Sequence, residues 1–474
     1  MENKKIKLRW FILLGATAVA ALLLILALIE TAGSDSILTS GAIRKDTVTY
    51  IAIGLISILI LLLLLLGSVT MMKNKPSTIT ATLDGNLNLK ENNNPTDKSG
   101  FKSFEKKAEE ATDEVTERFC MLSAIDRKKD SYGHTRYDKN ITLESFCENF
   151  RNYAANKLRL YYDISDIRRF IAGMSVSHIL ILQGMSGTGK TSLAHAFGSF
   201  VDNSSTVIPV QPMWKERTDL IGYYNEFTKR FNETLLLEKM YEANYSDDIY
   251  VTVLDEMNIA RVEYYFAEFL SLLELPDPDE RFLDVVSDKW PTDPKNLVDG
   301  RIKLPINMWF IGTANNDDST FAISDKVYDR AMILNLDNKS ERFIAPPTEK
   351  TNISYDIFEK LVNEAITEYA VSARNLNRLE LLDKYLIEHF HITFGNRIMK
   401  QIKTYIPVFI SCGGDELDAL DDILSKKVMR KLETQNPIYL RNSADGLLAY
   451  LDELFGKDRM VMCREFIKRL ERNA

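Results

Sequence analysis

Residues 184–192 read GMSGTGKTS and follow directly on the apolar run HILILQ of residues 178–183. The stretch fits G-x-x-x-x-G-K-[ST], with Gly184, Gly189, Lys190 and Thr191 at the fixed places. Each residue type answers a physical demand. Backbone N–H groups that curl around a phosphate need glycine where a Cβ would collide or where φ is positive. The helix expected to follow, TSLAHAFGSF, points its N-terminal dipole at the same anion. Gly184, Ser186, Gly187, Thr188, Gly189, Lys190, Thr191 and Ser192 are therefore the candidate nucleotide-binding residues. Lys190 would reach the β- and γ-phosphates and Thr191 would hold Mg²⁺. Glycine-rich loops are otherwise only turns, and it is the order strand, loop, helix that argues for a nucleotide.

Two further apolar strands end in polar residues at the spacing such a site needs. DIYVTVLDEMN (248–258) closes on Asp255 and Glu256, 65 residues after Lys190. A carboxylate at that place holds Mg²⁺, and the next acid can orient or deprotonate the attacking water, so Asp255 is assigned to the metal and Glu256 to the water. The same two acids would also suit the start of NIARVEYYFAEFLSLLE (258–274), which reads as a helix. Its Tyr265, Phe266, Phe269, Leu270 and Leu273 are expected in the core. INMWFIGTANNDDST (306–320) is the third strand and ends at Asn315 and Asn316. An amide there can bond the attacking water or the γ-phosphate, although asparagine-rich turns are common.

Together these motifs resemble an AAA+ ATPase of the dynein-related branch, which includes the McrB-type restriction GTPases and the MoxR-like ATPases. LDEMNIARVEYYFAEFLSLLE is similar to the family's second motif and the helix after it, and QPMWKERTDLIGYYN (211–225) to the segment before it in McrB-like proteins. GTANNDDST resembles the sensor 1 strand, which implies Asn315 as the sensor amide with Asn316 as the alternative. ISDKVYDRAMILNL (323–336) falls where the family carries its arginine finger, implying Arg330. FGNRIMKQI (394–402) resembles the start of the sensor 2 helix, implying Arg397. The candidate catalytic residues are thus Glu256, Asn315, Arg330 and Arg397. Arg330 could alternatively be a surface salt bridge with Asp329 or Asp325. Arg261, just past the second motif, is a further candidate for action between subunits. The implied fold is α/β, a P-loop parallel sheet with flanking helices and a C-terminal helical lid. The implied assembly is a ring, most often a hexamer, in which the finger serves a neighbour's nucleotide.

The sequence also departs from the McrB pattern. TANNDDS stands where those proteins have MNTADRS, so GTP specificity is not carried over, and ATP is the expected nucleotide with GTP the alternative. Where those proteins carry an N-terminal DNA-binding domain, the N-terminal part of this chain reads differently. In its place residues 10–29 and 50–69 are two uncharged apolar runs of about 20 residues, each long enough to cross a hydrocarbon core of roughly 30 Å as a helix. Lys4, Lys5, Lys7 and Arg9 precede the first run, and Lys73 and Lys75 follow the second. The positive-inside rule then places both ends, and the rest of the chain, in the cytoplasm. A cleaved signal peptide is the alternative for the first run.

The expected organisation is a transmembrane hairpin over 1–73, a flexible polar linker over 74–100 and a helical stalk with N-terminal helices over 101–163. An α/β nucleotide-binding domain over 164–345 and a helical lid with C-terminal region over 346–474 follow. The turn-rich 275–303 stretch reads as a hairpin or loop insert facing a pore or a partner. With 67 acidic against 59 basic residues, a net charge of −8 argues against a general nucleic-acid-binding surface. The four cysteines, Cys120, Cys147, Cys412 and Cys463, form no CxxC pair and read as idle or buried thiols. His389 and His391 read as part of a strand or helix end. The function expected from all this is a membrane-anchored AAA+ ATPase remodelling a partner protein. A GTP-hydrolysing motor subunit of a defence system and a nucleotide-gated membrane scaffold are the alternatives.

Overall fold

The computed structural model describes residues 117–133, 136–315, 320–337 and 340–473. Its strands are β1 (Ile179–Gln183), β2 (Thr206–Pro209), β3 (Gly222–Asn225), β4 (Arg230–Glu233), β5 (Tyr250–Asp255), β6 (Phe282–Asp284), β7 (Leu297–Val298), β8 (Arg301–Lys303), β9 (Met308–Ala314) and β10 (Met332–Asn335). Five of them form one parallel sheet in the order β10-β1-β9-β5-β2. Such a sheet needs apolar side chains on both faces, and ILIL of β1 and all of MWFIGTA of β9 are buried.

Strand alternation divides these side chains between two cores. Leu180, Leu182, Val251, Val253, Trp309 and Ile311 join one core. Ile179, Ile181, Tyr250, Leu254, Met308 and Phe310 join the other. The first core takes in α1 (Leu143–Lys157), α2 (Ile164–Val176) and α3 (Lys190–Phe200). It also takes in the C-terminal helices α5 (Tyr355–Glu368), α6 (Ala373–Phe390), α7 (Asn396–Ser411), α8 (Glu416–Lys427), α9 (Pro437–Phe455) and α10 (Val461–Asn473). The second core holds α4 (Leu235–Ala243) and the segment after β5. Helix starts carry the expected oxygen caps: Thr142, Asp163, Ser354, Ser372, Asp415 and Asn436 each accept from the first turn.

Several expectations change here. The segment 258–274 is not one helix but a 3₁₀ turn, Met257–Ile259, and two short helices, Val262–Tyr265 and Ala267–Leu272. The break at Phe266 lets its ring stack on Phe269, with both rings edge-on to Phe310. The aromatic residues are core, as read. The 275–303 insert is a three-stranded antiparallel sheet, β6-β8-β7, alongside a separate β3-β4 hairpin. Arg118, placed by the sequence on a charged helical stalk, is non-helical and buried. It is bound by Asp288 and Asp293 of the insert and covered by Trp290. Cys147, Cys412 and Cys463 are buried and Cys120 is exposed. His389 sits in the last turn of α6, and His391 is its left-handed cap.

The membrane location is corrected. Among the described residues no helix is long and apolar enough to cross a membrane. The physical reason is charge, since even 18-residue α6 carries Arg374, Arg378, Glu380, Asp383, Lys384 and Glu388. The two runs at 10–29 and 50–69, the 74–100 linker and most of the stalk lie outside the described residues.

A buried polar cluster fastens the C-terminal helices to the sheet layer. Asp422 of α8, 1% exposed, accepts from Lys426 Nζ at 2.5 Å and from the Tyr405 hydroxyl at 2.6 Å. It also pairs with Arg169 of α2 at 3.1 Å. Burial lowers the Lys426 pKa, offset in part by the charge of Asp422. Removing one member of such a set strands the others in low dielectric. Asp422→Ala is expected to cost about 3–5 kcal/mol of unfolding free energy, and Tyr405→Phe only about 1 kcal/mol. Urea denaturation of both variants measures the difference, and equal small losses would mean the cluster holds nothing together.

Candidate functional site

The parallel register brings three strand ends to one edge. Gln183 of β1 lies opposite Ala314 of β9, Leu254 of β5 opposite Gly312 of β9, and Gln183 opposite Asn335 of β10. The loop after β1, the acids after β5 and the asparagine after β9 are therefore neighbours. This is the crevice beyond the carboxyl ends of the strands, where open α/β sheets bind ligands.

The loop takes the shape its glycines permit. A Cβ on Gly184 would lie 2.4 Å from the Leu336 carbonyl oxygen, so only glycine lets the chain leave β1 beside the end of β10. Gly189 has φ 92° and precedes the first turn of α3. Its carbonyl accepts from the Tyr162 hydroxyl at 3.2 Å, which braces the loop from behind. The crest, Met185 to Gly187, is exposed, and Lys190 is buried. Lys190 Nζ donates to the carbonyls of Gly184 at 2.9 Å and Met185 at 2.7 Å, so its ammonium lies inside the curve of the loop. Thr188 Oγ1 donates to Met185 O at 3.0 Å and tightens the same turn.

Asp255 is tied into place by two hydroxyls. Thr191 Oγ1 donates to its Oδ1 at 2.7 Å, and Thr313 Oγ1 to the same oxygen at 2.9 Å. Thr313 Oγ1 in turn accepts from the Glu256 N–H at 2.9 Å. Glu256 sits in the left-handed region with φ 52° and is exposed, turned out from the strand end. Its side chain makes no capping bond to the following turn, so the capping alternative loses its support. Asn258 Nδ2 donates to the Asn315 carbonyl at 2.9 Å, while Asn258 Oδ1 is buried without a hydrogen-bond partner. Asn315 is half-buried, and Asn316 lies outside the described residues.

Gly184 and Asn315 also border a cavity of about 1210 Å³, shared with Asn258, Tyr328, Lys426 and Arg430. Lys190, Thr191 and Asp255 lie outside this lining, so the cavity adjoins the 184–189 loop without including them. Arg330 and Arg397 lie outside it too. Their guanidiniums meet instead on one carboxylate, Glu274, at 2.6 Å each. Neither acid expected for Arg330, Asp329 or Asp325, is its partner. Asp325 pairs with Arg430, whose guanidinium stacks 3.7 Å from the Tyr328 ring centre. Arg261 is half-exposed between the rings of Tyr264 and Phe321.

Residues 179–331 match the family described as AAA domain (dynein-related subfamily). That segment is an AAA domain of the dynein-related subfamily. The match implies a P-loop nucleoside triphosphatase domain over that segment, of a family that generally uses nucleotide and Mg²⁺. No curated protein matches the chain. Among solved structures, a full-length MCM homolog from Methanopyrus kandleri is 11% identical at a TM-score of 0.32, the match covering 64% of this chain and 59% of that one. NtrX from Brucella abortus is 13% identical at 0.24, covering 70% and 71%.

Thr313, Tyr162 and Asn258 escaped the sequence reading. Thr313 could have been found, being the hydroxyl two residues before Asn315 in a strand otherwise apolar. Tyr162 and Asn258 act through contacts visible only in the fold. Thr313→Val keeps the shape of β9 and removes the second hydroxyl on Asp255. It is expected to raise the Mg²⁺ concentration for half-maximal turnover about 10-fold, the usual cost of losing such a supporting bond. Metal titration of turnover, beside nucleotide binding without metal, separates this from a loss of nucleotide affinity.

Proposed function

We propose that the protein is a ring-forming, Mg²⁺-dependent ATPase that couples hydrolysis to the remodelling of a partner protein. In this reading 164–345 is the catalytic domain and 346–474 its helical lid and C-terminal region. The observation that carries it is the run of contacts from Thr191 to Asp255 to Thr313, with Glu256 anchored beside it by its own N–H.

The residues fit the nucleotide and the ion. Lys190 would exchange its loop carbonyls for β- and γ-phosphate oxygens, and the N-terminus of α3 adds its dipole. Thr191 Oγ1 and Asp255 Oδ1 are oxygen donors of the kind Mg²⁺ selects, the carboxylate reaching it directly or through bound water. Held there, Mg²⁺ would supply positive charge to offset the negative charge that develops on the phosphates. Glu256 would orient the attacking water and accept its proton, with the Asn315 amide fixing the water's second hydrogen bond. Gly184, Ser186, Gly187, Thr188, Gly189 and Ser192 would line the phosphates with main-chain and hydroxyl donors.

Arg330 and Arg397 support the ring. Arg330, joined with the sensor 2 candidate Arg397 at Glu274 and away from the cavity beside Gly184, suits delivery to the nucleotide of a neighbouring subunit. A guanidinium so delivered is worth about 10³–10⁵ in rate. A hexamer is the proposed size. The preference for ATP rests on TANNDDS, which departs from the motif of the GTP-hydrolysing relatives.

Turnover of ATP and GTP by the full-length chain, followed against protein concentration, tests the reading. ATP is expected to be preferred, with specific activity rising as subunits associate. Lys190→Ala should lose nucleotide binding. Glu256→Gln and Arg330→Ala should bind ATP but turn it over at least about 100-fold more slowly. Unchanged turnover in Glu256→Gln would sink the active-site assignment, and faster GTP turnover would favour a GTP-driven motor.

A further inference from the structure

The turn that carries Arg330, Tyr328 to Ala331, joins a short helix (Asp325–Tyr328) to β10. Its four successive carbonyls are each bonded from outside. Lys427 Nζ, at the end of α8, donates to Tyr328 O at 2.7 Å, to Ala331 O, and lies 3.4 Å from Asp329 O. Gln401 Nε2 of α7 also reaches Asp329 O, at 3.2 Å, and Ser177 Oγ donates to Arg330 O at 2.8 Å. Arg330 itself has little freedom left. Its Nη1 folds back on Lys326 O at 2.8 Å, its Nη2 is on Glu274, and its Nε is buried without a partner.

We propose that Lys427 is a positioning residue for Arg330, holding the turn so that the guanidinium stands ready for the neighbouring subunit's nucleotide. The inference rests on the reading of Arg330 given under Proposed function. Lys427 is 4% exposed, and its three N–H groups meet three carbonyls of one turn. No carboxylate is among its hydrogen-bond partners. An apolar chain of the same length would fill the volume without the desolvation cost of the ammonium, but it would leave the Tyr328 and Ala331 carbonyls without this donor. What the ammonium adds is direction, because it fixes three carbonyls at once where a methyl group fixes none. Burial pushes its pKa down to about 7.

The same turn is linked to the phosphate loop. Gln183, immediately before Gly184, donates to the Tyr328 hydroxyl, and Arg430, one turn beyond Lys427, pairs with Asp325 and stacks on the Tyr328 ring. A subunit's own phosphate loop, its C-terminal helices and the arginine it offers to a neighbour are thus fastened at one point. The hydrogen bonds of Lys427 all go to the arginine's turn.

Mixing of full-length variants tests this. Lys427→Met should stay folded at the assay temperature, keep nucleotide affinity within twofold of wild type, and lose at least tenfold in kcat, as Arg330→Ala does. Lys190→Ala subunits have an empty site of their own but an intact Arg330. Added to Lys427→Met, they should restore turnover, because the sound arginine then serves the variant's nucleotide. A kcat within twofold of wild type, beside a dead Arg330→Ala, overturns the inference. So does a loss that Lys190→Ala subunits rescue in Arg330→Ala but not in Lys427→Met, which would mark a local packing defect. Should Lys427→Met not fold, Gln401→Met removes one bond to the same turn, and the same mixing pattern at smaller amplitude is expected of it. If Arg330→Ala itself keeps full turnover, the ring reading falls and this inference with it.

Discussion

The site depends on the parallel pairing of β1, β9 and β5. Because Gln183 lies opposite Ala314 and Leu254 opposite Gly312, three loops with unrelated sequences begin at one level. A slip of one residue in β9 would turn Thr313 to the other face and take its hydroxyl from Asp255. The register is held by burial, since every residue of β9 is inside and each face has its own core. Thr313 is the place where packing and chemistry meet. Its hydroxyl accepts from one strand-end N–H and donates to the carboxylate beside it, so a buried polar group is satisfied and Asp255 is aimed in the same contact.

The C-terminal helices share the core of the phosphate-loop layer, and this sets what they can do. Several polar attachments cross from them to the sheet layer. The Asp422 cluster ties α8 and α7 to α2, and Lys427 with Gln401 ties them to the turn after the Asp325–Tyr328 helix. Buried charges are costly to desolvate, and they are specific because few geometries satisfy them. Polar attachments of this kind give two arrangements of a helical layer different energies more sharply than apolar contacts do.

Much of the fold was legible in the sequence because its signals are local. The apolar runs of β1, β5 and β9, the glycines of 184–189 and the polar residues closing each strand follow from backbone sterics and burial, which read along the chain. The partners of the arginines were not legible in this way. Arg330 lies next to Asp329 and near Asp325, yet it binds Glu274, which sits 56 positions earlier and is shared with Arg397. Charge pairing over such a separation is set by which surfaces the cores bring together. Nothing near Arg118 in sequence hints that it is buried under Trp290, and nothing near Phe266 shows that the helix breaks there to stack two rings.

By itself, then, the sequence determined the phosphate loop, the acids and asparagine that follow later strands, and the α/β class, since glycine placement, strand-ending carboxylates and the period of buried residues are properties of short segments. Only the tertiary structure decided that Thr313 steers Asp255, that Tyr162 braces Gly189, that Arg330 and Arg397 meet on one carboxylate, and that Lys427 grips the turn between them and the sheet. Each of those is a contact between segments far apart in the chain. Its existence depends on strand order, register and helix packing, which come from the sum of many weak apolar contacts rather than from any one motif.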